Sequence, residues 1–165
     1  MLQSFDNSTP SQQARTDWLA LLARAPLDLL QSQLAQAPTS WSWLREPETG
    51  LMMVQGRVGG TGERFNVGEV TVTRCALRLQ VDGGQASVGL GYVLGRSHAL
   101  SGWVALADAM LQQDAYRDPL ERSLLEPLRT LAQQAKAQAH ALAQSTKVDF
   151  FTVARESDAA AEDSE

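Results

Sequence analysis

The sequence predicts an α+β fold: an N-terminal helical hairpin, an antiparallel sheet of about four to five strands, C-terminal helices and a final strand. Three observations predict it. Apolar residues recur at helical spacing up to about residue 38, alternate from about 41 to 94, and return to helical spacing beyond 100. The turns between the alternating segments are short, and strands joined by short turns pair antiparallel. A block of strands flanked by helices, with no internal repeat, is the pattern of α+β rather than of alternating α/β units.

Taken in order, residues 1–12 read as a flexible leader and 13–155 as a single domain. Gln13 to Ala25 carries Trp18, Leu21, Leu22 and Ala25 at helical spacing. Pro26 is suited to the first turn of a second helix, with Leu27, Leu30 and Leu34 as its apolar stripe. Trp41 and Trp43 then alternate as in a short strand, and Leu51 to Val58 forms a second. A third, Val67 to Val81, places Thr71, Thr73, Cys75, Leu77 and Leu79 on one face and Val70, Val72, Arg74, Ala76 and Arg78 on the other. Asp82-Gly83-Gly84 is a hairpin turn leading into a fourth strand through Ala86, Val88, Leu90, Tyr92 and Leu94. Trp103, Leu106, Ala107, Met110 and Leu111 mark a helix over 101–113. Pro119 opens another, running to about Ala143, in which Pro127 imposes a kink or a break. Lys147 to Val153 is strand-like. Phe150 and Phe151 face opposite sides of it, so it calls for cover on both. Val148, Phe150 and Phe151 are therefore candidates for a central strand or for a partner interface.

Composition narrows the function classes. Five of the 19 acidic residues fall in the last ten positions, leaving 14 acids against 14 bases over residues 1–155. That balance argues against a nucleic-acid field, and residues 156–165 read as a disordered acidic tail. Twelve of the 14 bases are arginine, which suits specific planar contacts to phosphate or carboxylate. No apolar run reaches the roughly 18 residues of a membrane span. No secretory leader is visible, so a cytoplasmic protein is expected. The one cysteine, Cys75, alternates with Thr73 and Leu77 as a buried, inert thiol would. His98 and His140 have no metal-ligand spacing around them, so no metal site is expected.

The run Arg57-Val58-Gly59-Gly60-Thr61-Gly62-Glu63-Arg64-Phe65 stands out. Its glycines and arginines can cradle an anion, yet they fit equally a wide turn between two antiparallel strands. It has neither the Gly-Lys-Ser/Thr ending of a Walker loop nor a following helix. Glu63 is an acid or base candidate, or an ion-pair partner of Arg57, Arg64 or Arg74. Arg74 and Arg78 share a strand face, where they are paired, exposed or in an interface.

The ordered set Glu48-Thr49-Gly50-Leu51, Gly59 to Phe65, Gly68-Glu69, Thr73-Arg74, Gly91-Tyr92 with Gly95-Arg96, Ala105-Leu106 with Asp108-Ala109, and Lys147 to Thr152 resembles the PhnG subunit of the bacterial carbon–phosphorus lyase system. It spans roughly residues 14–155. The resemblance implies a subunit that assembles with PhnI, PhnH and PhnJ and assists transfer of alkylphosphonate onto the ribose of ATP with loss of adenine. It implies no cofactor bound by this chain alone, with ATP and phosphonate as substrates of the complex. The loop Gly59, Gly60, Thr61, Gly62, Glu63, Arg64 and Phe65, with Arg74, would face a shared ligand or a partner, and no residue here is assigned to catalysis. The family pattern of His-Ala-Glu is replaced at Leu100-Ser101-Gly102, with His98 displaced. A stand-alone enzyme acting on a phosphorylated ligand and a purely structural scaffold remain the alternatives.

Overall fold

The structure is a computed structural model that describes residues 10–38, 40–80 and 85–147. Helix α1 spans Pro10–Leu22 and α2 spans Leu27–Gln33. Strands β1 (Trp41–Arg57), β2 (Arg64–Leu79) and β3 (Ser87–Leu94) form one antiparallel sheet in that order. Helix α3 (His98–Leu111) follows, then α4 (Asp114–Leu120), a π turn at Glu121–Leu125, and α5 (Glu126–Ser145).

Every residue of α3 from Val104 to Leu111 is buried. A helix covered all round needs partners on every side. The sheet lies on one side of α3; α1, α2 and α4 lie on the others. Trp18, Leu22, Leu30 and Leu34 meet Leu77, Leu79, Val93, Leu124 and Leu128 in one core around it. The expected N-terminal hairpin is thus two helices that pack on α3 more than on each other.

The sheet corrects the expected strand count. The short strand at Trp41 and the strand at Leu51 are one strand of 17 residues. The stretch between them holds Pro47, yet the strand runs through it. Strand β1 bulges twice between Trp43 and Glu48, and β1 lies at the sheet edge, where a missing N–H costs no ladder bond. Three strands are present among the described residues. The turn at Asp82-Gly83-Gly84 and the candidate strand with Val148, Phe150 and Phe151 lie outside them.

The helix boundaries also moved. Ser97 caps α3 by accepting from the Leu100 N–H at 3.2 Å, so α3 begins three residues before the expected Ser101. Pro119 lies inside α4 rather than at its start. Residues 114–145 run on as one interrupted helix, with the π turn seated between Pro119 and Pro127. A π turn is one way a helix absorbs a local break in its bonding ladder.

Candidate functional site

The glycine run is the tip of the β1–β2 hairpin. Gly59 and Gly60 adopt φ of 58° and 81°, which residues with a Cβ rarely reach. The Gly62 N–H donates to Val58 O at 2.8 Å, and a Cβ on Gly62 would stand 2.7 Å from that oxygen. Arg57 Nη1 donates to Gly62 O at 3.2 Å. The three glycines are therefore demands of the turn itself. Thr61, Glu63, Arg64 and Phe65 are exposed around it, and Glu63 makes no ion pair with Arg57, Arg64 or Arg74 among the described residues.

Arg74 sits ten residues along β2 from Arg64, roughly 33 Å at the rise of a strand. The two cannot contact one small ligand together. The expected site is a line along a ribbon, not a pocket. Arg74 Nε donates to Glu48 Oε1 at 2.7 Å and Nη1 reaches the Tyr92 hydroxyl at 3.4 Å. Tyr92 and Glu48 both raise the pKa of its guanidinium, so it is a fixed cation. Arg45 approaches the same Glu48 oxygen at 3.5 Å. Arg78, four residues beyond Arg74, is exposed and makes no ion pair among the described residues.

The adjacent residues form a second array on the opposite face. Glu48 pairs with Arg74 across the strands, and Thr49 pairs with Thr73. Successive strand residues face opposite sides, so Glu48-Thr49 and Thr73-Arg74 each serve two surfaces at once. Thr73, fully buried, donates its hydroxyl to Gly95 O at 2.8 Å. Its one hydrogen being used, it accepts from Thr49, 3.1 Å away. Thr49 is then left to accept from His98 Nε2 at 3.0 Å. The relay places a hydrogen on Nε2 of His98.

His98 borders a cleft of about 240 Å³ lined by Trp41, Trp43, Trp103, Ala99, Gly102 and Leu106. Trp41 and Trp43 meet edge to face, centroids 4.8 Å apart. Gly102 lies on the cleft floor, where an added Cβ would come into van der Waals contact with the Trp43 ring at 3.4 Å. Ser101 beside it is buried, with its hydroxyl on His98 O at 3.0 Å. The departure Leu100-Ser101-Gly102 thus occupies the packed side of α3 and the cleft floor. Three apolar aromatic walls with few polar groups suit a flat or apolar group.

Sequence reasoning missed Asp108. It is fully buried, yet both oxygens are satisfied: Arg15 donates from Nε at 3.1 Å and from Nη2 at 2.7 Å, Trp18 Nε1 at 2.9 Å, and the Leu90 N–H at 2.9 Å. The signal was an acid between Ala107 and Ala109 on the apolar face of a helix, since carboxylates are almost never fully buried unless paired. Its partners are all within the fold, so it joins α1, α3 and β3 and leaves no lone pair for a ligand.

Cys75 is buried, as expected, with its Sγ 3.2 Å from Ser101 O. Burial pushes its thiol pKa up, outweighing the opposing hydrogen bonds. The raised pKa keeps it protonated, and hence unreactive, to a higher pH than a free thiol. Its reaction with Ellman's reagent at pH 8 is expected to be at least ~100-fold slower in the native chain than in urea, because attack awaits opening of the core. Equal rates would contradict the burial. Among the described residues no group of three or more His, Cys, Asp or Glu is placed to hold a metal ion. None of their helices is long and apolar enough to cross a membrane.

Residues 13–156 match the family model described as "Phosphonate metabolism protein PhnG". A relative from Rhizobium meliloti (strain 1021), described as alpha-D-ribose 1-methylphosphonate 5-triphosphate synthase subunit PhnG, is 36% identical over 151 residues, covering 87% of this chain and 90% of the relative.

Proposed function

Because the chain belongs to the PhnG family of phosphonate metabolism proteins, we propose that it is a subunit of a ribose 1-phosphonate 5-triphosphate synthase. The observation that carries this is the likeness to the Rhizobium subunit over nearly the full length of both chains. In the reaction a phosphonate oxygen bonds to the anomeric carbon of the ATP ribose, and the bond from that carbon to adenine breaks. Adenine leaves with a proton. PhnI, PhnH and PhnJ are the proposed partners, in the cytoplasm, with PhnI owning most of the site. This chain assists by assembly and by completing a shared surface. An exposed hairpin tip and a half-exposed arginine cluster support an assisting role.

Co-expression with PhnI from the same source is the test, with co-purification in a fixed ratio as the expected result. Within that complex Arg64→Ala and Gly60→Val are expected to lower synthase activity about tenfold, a loss of ~1.4 kcal/mol; the isolated Arg64→Ala chain keeps its unfolding midpoint, whereas Gly60→Val, at a φ of 81°, lowers it. Normal activity of both variant complexes would remove the loop from the site. The tryptophan cleft beside His98 favours a second reading, a chain that binds a small ligand unaided. A thermal shift of the isolated chain with nucleotides would support that reading, and its absence would leave the subunit role.

A further inference from the structure

The outer end of the β1–β2 hairpin is built as if something lies against it. Strand β3 pairs with β2 only from Val72 to Leu79, and Gly95, at φ 88°, turns the chain away after Leu94. Among the described residues, β2 from Thr71 out to Arg64 has β1 as its one neighbour in the sheet. A two-stranded ribbon by itself is marginal in water.

Its outer face is apolar. Residues paired across antiparallel strands share a face, which sets Met52 with Val70 and Gly56 with Phe65. The Cβ that Gly56 lacks would touch Val67 at 2.8 Å and Phe65 at 3.6 Å, so both side chains fold over that glycine. Phe65 is 49% exposed, Val67 63% and Leu94, at the adjoining end of β3, 72%. The surface continues into Arg74 and Tyr92, opposite the face on which Cys75 meets α3. Among the described residues α3 is the helix that packs most on the sheet, against its inner face, and on the outer face Val72 is buried while Met52, Phe65, Val67 and Leu94 stay exposed. The ribbon's other face mixes Leu51 and Met53 with Glu69, Gln55 and Asn66, the last two bonded at 3.2 Å.

The charge on the outer face is lopsided. Arg45, Arg74 and Arg78 stand on it with Glu48, which Arg45 and Arg74 share. A second copy laid symmetrically on this face would oppose arginine to arginine. An apolar patch bordered by carboxylates would match it.

We propose that this face, centred on Met52, Phe65, Val67, Val70 and Leu94, is where another subunit of the synthase docks through an apolar surface rimmed with acidic residues. The inference rests on the subunit reading above and names the surface that the reading requires. Phe65 and Val67 supply the apolar anchor, and Arg78 supplies a charge for a partner carboxylate.

The full chain, tagged and co-expressed with the other synthase subunits, provides the test. The double substitution Phe65→Ser/Val67→Ser is expected to weaken assembly at least tenfold. The isolated variant should keep the wild-type circular dichroism and unfolding midpoint, because both side chains are exposed. Leu142→Ser, at an exposed apolar site on α5, should assemble normally. Unchanged assembly of the double variant would overturn the proposal while leaving the subunit reading intact. Failure of the wild-type chain to assemble would instead remove the subunit reading on which the proposal stands. A homodimer of the isolated chain, broken by the same double substitution, would overturn the choice of a different subunit as occupant. If the double variant fails to fold, Arg78→Glu decides: weakened assembly supports the docking face, and wild-type affinity overturns it.

Discussion

Asp108→Ala is expected to destabilise the chain by about 3–5 kcal/mol, the cost of removing one member of a buried charged pair. The carboxylate has no exposure and holds four donors from two elements: two from Arg15 on α1, one from Trp18 on α1 and one from the Leu90 backbone on β3. Truncation leaves the Trp18 and Leu90 N–H groups without this acceptor, and an unmet buried donor costs ~1–3 kcal/mol. Arg15 is 32% exposed, so its guanidinium can regain water and soften the loss. The cost therefore falls mainly on the two neutral donors and on the vacated volume. Trp18→Phe removes one of the four bonds and is expected to cost only about 1 kcal/mol. Arg15→Ala combined with Asp108→Ala should cost less than the sum of the two single changes, because the residues share one network. Urea unfolding followed by far-UV circular dichroism measures all four variants. A midpoint for Asp108→Ala within error of wild type would show that the carboxylate does not hold the helices to the sheet.

That network shows which parts of the fold the sequence exposes and which it hides. Trp18, Leu22, Leu30 and Leu34 declared themselves by spacing, because a helix buries every third or fourth residue, and all four are in the core. The alternation of Thr73, Cys75, Leu77 and Leu79 likewise gave the buried face of β2. The gap expected between the strands at Trp43 and Leu51 closed, because a proline such as Pro47 need not break a strand at a sheet edge, and edge position is a property of the assembled sheet. Asp108 was hidden for a related reason: its partners are 93, 90 and 18 residues away, and no local pattern announces a donor at that distance. At the candidate site the glycine loop was recognisable as a turn or a cradle, and the turn geometry now accounts for all three glycines. The ion pair of Arg74 with Glu48 and the relay from Thr73 through Thr49 to His98 needed the pairing register of β1 with β2, which three irregularities shift. Spacing within one strand cannot supply a register between two.

Gly89→Ala should be as damaging as the loss of Asp108, through backbone contact alone. Ser87, Gly89 and Gly91 occupy the face of β3 that meets α3, and α3 presents Ala109, Ala105 and Ser101 to them at successive turns. The Ser87 hydroxyl donates to Ala109 O at 2.8 Å. A Cβ at Gly89 would stand 1.8 Å from Ala105 O and 2.9 Å from the Ala109 Cβ; one at Gly91 would stand 2.0 Å from Ser101 O. These are backbone atoms of a helix buried on all sides, so no rotamer change relieves the overlap. The strand and α3 must part by more than an ångström, on the order of the shift that turns a void overlap into van der Waals contact. Separation would stretch the bond from the Leu90 N–H to Asp108 and open the core around Val104 and Leu111. Overpacking usually costs ~1–3 kcal/mol, and a backbone-on-backbone overlap belongs at or above the upper end. Gly50→Ala is the control, since nothing lies within 4 Å of the Cβ it would add and its φ is not positive. That change should be neutral or stabilising by about 0.4–1 kcal/mol, by restricting the unfolded chain. The comparison needs only the unfolding midpoints of Gly89→Ala, Gly91→Ala and Gly50→Ala. Equal midpoints would mean that α3 sits farther from β3 than the glycine contacts require. A collapse confined to the first two would show that the glycines of β3 set how closely the central helix approaches the sheet, and with it the position of the His98 end of α3 beside the tryptophan cleft.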